Sequence, residues 1–322
     1  MNRDRPERPE TDEIPDVAHP ASLLFVGFHL LCFAALWTGA TTTSVIIFVM
    51  LYFVRMLAVT AGYHRYFSHR SFRLGRVTQF VLAFLAQSSG QGSAIWWASV
   101  HRMHHARSDT PRDVHSPIRH GFWHAHFGWI LRERRVSPLV YGRLERLPAY
   151  STYSRLLFRF FSPRGRARGR RISMVRDLMQ YREMRMLHRY TDVPLILTGI
   201  GAYLVGGLPG LIVGFVWSTV LVYHATFSIN SIAHLSGEQP YATNDESRNN
   251  WLVVLITLGD GWHNNHHHDP AAAQHGSGVR QWDPTFWVLR LLSYLMIVKD
   301  LRLPKTLAPG RLDIKTSPKP HR

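Results

Sequence analysis

The chain has 322 residues, enough for one large or two ordinary domains. Thirty-eight basic residues stand against 21 acidic ones for a net charge of +17, yet apolar residues make up 46 % and charged residues only 18 %, which excludes a wholly disordered chain. The single cysteine, Cys32, excludes an internal disulfide, a Cys₄ zinc site and a self-contained iron–sulfur cluster.

Residues 1–20 carry nine charges of both signs and read as a solvated tail. No basic region precedes a short apolar core and a small-residue cleavage site, so the start does not read as a signal peptide. Residues 21–37 are apolar apart from Ser22 and His29, and 45–59 are apolar again apart from Arg55. A bilayer core needs about 20 helical residues per crossing. The two runs, joined by a short uncharged turn at 38–44, read as a transmembrane hairpin. A second hairpin lies at 193–229, which holds no Lys, Arg, Asp or Glu, with GGLPG at 206–210 as its turn. Residues 284–298 form a short apolar run containing Arg290 and read as an interfacial helix.

Neither turn holds a charge, whereas residues 101–190 contain 20 arginines. Positive segments stay on the cytoplasmic side, so the Arg-rich face and both termini are expected there. The arginines flank apolar segments and carry no nucleic-acid module signature. Attraction to anionic lipid headgroups explains them more simply than nucleic acid does.

The histidines fall into four groups. These are HRYFSH at 64–69, HRMHH at 101–105, NSIAH at 230–234 and HNNHHH at 263–268. Helical positions three and four apart share a face. His101 therefore pairs with His104 and His105, Asn230 with His234, and His263 with His266 and His267. His64 and His69, five apart, require a helix end or a local bulge. Neutral imidazole binds iron, zinc or copper through nitrogen, and nine nitrogens exceed one metal's coordination positions, so two metals are the natural count. His19, His29, His188, His224, His275 and His321 read as structural. For the four groups to meet, the chain must cross zero or two times between His69 and His101. Residues 77–100 are too few for two crossings, so this stretch must be re-entrant or interfacial, broken at its Gln/Ser/Gly centre.

HRYFSH, HRMHH, NSIAH and DGWHNNHH resemble the histidine boxes of the membrane fatty-acid desaturases, specifically the acyl-CoA branch of the Δ9, stearoyl-CoA type. The family pattern is HxxxxH, HxxHH, NxxxH and (E/D)GxHNxHH, matched in order over roughly residues 20–303. The segment SDTPRDVHSP at 108–117, followed by Gly128 and Trp129, is also similar to the family's continuation after the second box. The resemblance implies an all-α integral membrane protein with four transmembrane helices under a cytosolic helical cap that holds two irons. It assigns His64, His69, His101, His104, His105, His234, His263, His266 and His267 as ligands, with Asn230 linked through water. Asp260 stands where many relatives have glutamate, and His268 is an extra neighbour with no assigned role. Asp109, Asp113, His115 and Asp260 are candidates to orient ligands from behind. The domain division that follows is a tail at 1–20 and a membrane desaturase domain at 21–303, then a flexible tail at 304–322. Within the domain the hairpins take about 21–62 and 193–229, and the cap about 63–192 and 230–303.

Removing hydrogen from an unactivated methylene needs an oxidant made from O₂, which acid–base side chains cannot supply. The implied reaction is desaturation of a saturated long-chain acyl thioester, carried by CoA or another acyl carrier. Hydroxylation on the same scaffold is the alternative. Trp96, Trp97, Trp123 and Trp262 flank the boxes and are candidates to line an apolar acyl tunnel. The chain carries no GxGxxG fingerprint, no cysteine set and no fused b-type cytochrome. Electrons are therefore expected from a separate donor, a ferredoxin or a b-type cytochrome with a flavoprotein reductase.

Overall fold

The computed structural model describes residues 20–110, 113, 115–131, 175–277 and 280–305. Both expected tails, apart from Pro20, 304 and 305, lie outside the described residues, as do most of the 20 arginines between 101 and 190. What is described is mostly helical. Its one sheet is a two-residue pair in which Arg73 faces Lys299 and Leu74 faces Val298, antiparallel.

Helix α1 covers Pro20–Cys32. Helix α2 begins at Thr42, where Thr41 and Ser44 close a reciprocal capping box, and runs to Leu57. It continues without interruption as a π-helix over Ala58–Ser68. Helix α3 is Arg76–Gln87 and α4 is Ala94–Arg107, started by the Ser93 hydroxyl accepting from Trp96 N. Helix α5 is Val193–Pro209, followed by a π-helical turn at Gly210–Trp217 and by α6 at Ser218–Ser231. Helix α7 is Trp251–Thr257, α8 is His263–His268 and α9 is Pro284–Tyr294.

Two stretches are long and apolar enough to cross a membrane by length and composition, Thr42–Ser68 and Val193–His234, with mean hydropathies of 2.2 and 1.9. Leu23–Thr38 is a shorter apolar helix. The second stretch does not run straight. Gly207 has φ 60° and ψ −153°, a conformation that costs other residues energy, and the chain folds back there. Gly210 then sits so close to α5 that a Cβ would lie 2.4 Å from the Ala202 carbonyl oxygen, and Gly199 faces the Phe215 ring. The outward faces of these helices stay apolar and uncovered. Ile46, Phe53, Leu204 and Val205 are all about half exposed or more. So large a contiguous apolar surface marks a face that something other than water covers.

Arg55, which interrupts the apolar run at 45–59, is fully buried. Its guanidinium donates to Thr219 Oγ1 at 2.6 Å, to Ser218 Oγ, and to the carbonyls of Ser88 and Phe215 at 3.3 and 3.4 Å. The arginine thus ties α2, the break after α3 and the second hairpin together. That break is the expected one. Residues 77–100 form two helices, and the polar groups between them are satisfied internally. Gln87 Nε2 donates to Leu187 O at 3.1 Å, its Oε1 accepts from Ala94 N at 3.3 Å, and Gln91 donates to Thr226 Oγ1 at 2.9 Å.

The Gly210 approach yields a stability prediction. Gly210→Ala places a Cβ against main chain and should cost roughly 1–3 kcal/mol. The detergent-solubilised protein should melt several degrees lower. Gly201→Ala, whose Cβ meets nothing within 4 Å, should leave the melting temperature in place. Equal melting of both variants would refute the close packing of the hairpin.

Candidate metal centre

The four histidine groups reach one buried region from four directions. The π-helix solves the first spacing. Its turn closes by a hydrogen bond from His69 N to His64 O at 3.3 Å, five residues back. The two rings come within 5.1 Å on one side. His101, His104 and His105 project from the last turns of α4. His234 lies in a short 3₁₀ turn just beyond α6. His263, His266 and His267 belong to α8, whose start is held by Asn249 Oδ1 accepting from Asn264 N and Asn265 N at 3.0 and 3.2 Å.

Two sets of imidazole nitrogens result. In each set the ligand atoms lie within 4.8 Å of one another. The first is His64, His69, His101, His105 and His266, and the second His104, His234, His263 and His267. Within the first set Nε2 faces Nε2 repeatedly. His64 meets His266 at 2.9 Å, His266 meets His105 at 2.9 Å, His105 meets His101 at 3.0 Å and His101 meets His69 at 2.8 Å. In the second set His234 Nε2 meets His263 Nε2 at 3.0 Å. Two nitrogens each about 2.1 Å from one ion, at right angles, lie about 3.0 Å apart.

The second ring nitrogens explain which atom is free. Nδ1 of His64 meets Asp260 Oδ2 at 2.7 Å, and Nδ1 of His104 meets Asp113 Oδ2 at 3.0 Å. Nδ1 of His234 meets Asp109 Oδ2 at 3.0 Å, and Nδ1 of His267 meets Asp245 Oδ2 at 2.6 Å. A carboxylate accepts from Nδ1–H, which leaves Nε2 as a bare lone pair. His267 Nε2 is buried and has no hydrogen-bond partner. The four backed histidines thus turn Nε2 inward, and the two imidazole sets fit a pair of first-row divalent cations such as iron.

Burial, then the neighbouring imidazoles, push His101, His105, His263 and His266 well below the usual imidazole range. Burial takes His267 down to about 4. His104 differs, because Asp113 and two further carboxylates outweigh its burial and lift it. Burial opposes ionisation of Asp113, Asp245 and Asp260. The facing imidazoles, joined by Arg65 at Asp260, overcome it and hold all three carboxylates low.

The other expected residues take definite places. Asp109, Asp113 and Asp260 each back a different ligand position. His115 is buried with its ring 4.6 Å from His104, and its Nδ1 stands 3.4 Å from Asp113, beyond good hydrogen-bond distance. Asn230 is half-buried on the last turn of α6, one turn before His234. His268 is exposed and stacks on Tyr241 at 4.2 Å. Trp97 stacks between Tyr63 and His101, at 5.3 and 4.9 Å. Trp96 lies parallel to Trp129 at 6.5 Å, beside the Phe25–Tyr223–Phe227 cluster. Trp262 is buried, with its indole N–H donating to Trp282 O at 2.7 Å, whereas Trp123 is 68 % exposed.

Several residues escaped sequence reasoning. Asp245 sits in a polar loop with no periodic or spacing signal. Arg65 lies inside the first box and is fully buried between Asp260 and Asp283, at 3.0 and 2.9 Å. His275, read as structural, is buried against the His64 and His266 rings with Nδ1 3.2 Å from Asp260 Oδ1. His29 and His224 meet through Nε2 at 2.9 Å, and His126 continues that contact to Ser231.

Comparison with known proteins assigns the family. The model of the family described as Fatty acid desaturase matches residues 40–282. The chain is 31 % identical to the Acyl-CoA C20 Delta5-desaturase of Anemone leveillei over 93 % of its own length and 86 % of the relative's. It is 32 % identical to the Delta-9 desaturase-like 5 protein of Arabidopsis thaliana, over 90 % and 87 %. It is 33 % identical to the Arabidopsis thaliana Palmitoyl-monogalactosyldiacylglycerol delta-7 desaturase, chloroplastic, over 80 % and 61 %. The chain belongs to the fatty acid desaturase family.

The last box depends on a glycine. A Cβ on Gly261 would lie 2.2 Å from Val254 N, inside the main chain that opens α7. Gly261→Ala should displace α8 and its three histidines. Elemental analysis of the purified variant should show most of its bound metal gone. Gly75→Ala, with open space at its Cβ, should retain it. Full metal content in Gly261→Ala would show that this close approach does not position α8.

Proposed function

We propose that this member of the fatty acid desaturase family is an O₂-dependent fatty-acyl desaturase that inserts a cis double bond, at Δ9, into a saturated long-chain acyl thioester. The observation that carries the reading is the pair of converging imidazole sets, nine nitrogens with four carboxylates behind them. The Δ9 position is supported by the box pattern and by the Delta-9 desaturase-like relatives. Other relatives are named for delta-5 and delta-7 positions. Two hairpins giving four crossings, with the imidazole sets and both termini on the cytoplasmic side, make up the topology of this reading.

In this reading the nine histidines hold two irons, with Asn230 linked through water. Such a pair, when bound, supplies an oxidant derived from O₂ that is strong enough to take hydrogen from an unactivated methylene. The chain's own residues do the rest. Asp260, Asp113, Asp109 and Asp245 keep the Nδ1 protons of four ligands in place, so that each ring presents Nε2. Burial of His104, His234, His263 and His266 keeps water away from the reacting region. Trp96, Trp97 and Trp262 provide apolar surface next to the boxes for the acyl chain. Desaturation consumes O₂, two electrons and two protons and releases two waters. The electrons come from a separate donor, a ferredoxin or a b-type cytochrome with its flavoprotein reductase.

The decisive experiment feeds deuterated stearate to a host that expresses the chain with a ferredoxin and its reductase. Fatty acids are read by mass spectrometry beside those of the His263→Ala variant. A labelled monoene made by the wild type and missing from the variant is expected, and its fragmentation locates the double bond. A labelled hydroxy acid would replace this reading with a hydroxylase. No labelled product from well-expressed wild type would overturn both.

A further inference from the structure

We infer that the two metal positions are electrostatically unequal, and that the four-histidine position holds its cation more tightly than the five-histidine position does. The inference rests on the dinuclear reading above. Its ground is the uneven distribution of carboxylates behind the two sets.

Three of the four histidines in the second set are backed by an aspartate: His104 by Asp113, His234 by Asp109 and His267 by Asp245. Among the described residues no arginine or lysine pairs with any of the three carboxylates. They are held instead by neutral donors. Asp109 accepts from Ser116 Oγ at 2.6 Å and Glu246 N at 2.9 Å. Asp113 accepts from Asp109 N at 3.0 Å, and Asp245 from Ser247 N at 3.1 Å. Each keeps its full negative charge one imidazole away from the ion. Asp109 is placed there at φ 56°, in the left-handed region that only a few non-glycine residues enter.

The five-histidine set is different. Among the described residues only Asp260 backs it, through His64, and Arg65 binds the other oxygen of that carboxylate at 3.0 Å. Asp283 faces the same arginine, so among the described residues this group of three carries one net negative charge against three behind the other set. Arg70 and Arg102, close to His69 and His101, both pair with a single carboxylate, Asp177. The five-histidine set has one more nitrogen, which works in the opposite direction. However, His69, His101 and His105 are only half-buried, whereas the four-histidine set is buried on all sides apart from a sliver of His267. Charges act more strongly in the drier surroundings. Carboxylates behind ligating histidines typically change metal affinity 10–100-fold each, and among the described residues two more of them stand behind the four-histidine set.

The test uses the full chain, stripped with a chelator in detergent, and cobalt(II) as probe, with bound metal counted after equilibrium dialysis. Two binding events are expected, the first at least about tenfold tighter. His263→Ala should remove the tight event and His266→Ala the weak one. Asp245→Asn, the same shape without the charge, should weaken the tight event by roughly 10–100-fold and leave the weak one in place. Asp245→Glu should restore it. Two events of equal affinity, loss of the weak event in His263→Ala, or an unchanged tight event in Asp245→Asn would overturn the inference. One equivalent or none bound to wild type would instead overturn the dinuclear reading itself.

Discussion

Everything in the described structure answers to one constraint, the placing of imidazole Nε2 atoms face to face at about 3 Å inside protein. Two neutral imidazoles satisfy each other in such a contact only if one donates. In the first set His101, His105 and His266 each meet two neighbours, and Asp260 already fixes the donor of His64 at Nδ1. What remains is a cluster of lone pairs directed at a common space. Such lone pairs are costly to bury without a partner, and a divalent cation satisfies all of them together.

The fold delivers these nitrogens through local devices, each of which breaks a regular rule. A π-helix replaces the α-helix where the first box needs five-residue spacing. Leu258 at φ 55° and Gly259 at φ 120° reverse the chain just before α8. Gly261 lets α8 begin against the main chain of α7. Departures of this kind cost stability and persist where surrounding structure fixes them. Here the fixing group is Arg65, which holds Asp260, Asp283 and the Ala273 carbonyl, the last at 2.7 Å. It thereby joins the first box, the last box and the start of α9. Arg55 plays the same part among the apolar helices. Each arginine is buried because it closes a polar network between elements distant in sequence.

The histidine groups that converge were legible in the sequence because the proposed metal centre needs a particular residue type at particular spacings. Histidine is uncommon, so four groups of it stand out against the apolar runs. The five-residue interval from His64 to His69 already called for a bulge, and the polar centre of 77–100 for a break. The layer behind the ligands was only half legible. Asp109, Asp113 and Asp260 lie near boxes and could be singled out. Asp245 lies in a loop whose composition matches any solvated turn, and only the fold brings it to His267. His275 and Arg65 were missed for a related reason. Their burial depends on tertiary pairing with Asp260, and no local pattern encodes a long-range pair.

The same long-range pairing links the centre to the stability of the chain. The nitrogens come from residues 64–69, 101–105, 234 and 263–267, and the backing carboxylates from 109, 113, 245 and 260. The four histidine groups are far from one another in an unfolded chain, so a cation bound to the folded centre has no site of the same ligand number there. A ligand that prefers the folded state stabilises it by about 4 kcal/mol at a thousandfold excess over its dissociation constant. That is a large share of the 5–15 kcal/mol typical of a folded domain. On the proposed reading the nine imidazoles are structural as well as chemical. The centre gathers the segments beside the apolar helices, and those segments in turn hold the centre's geometry.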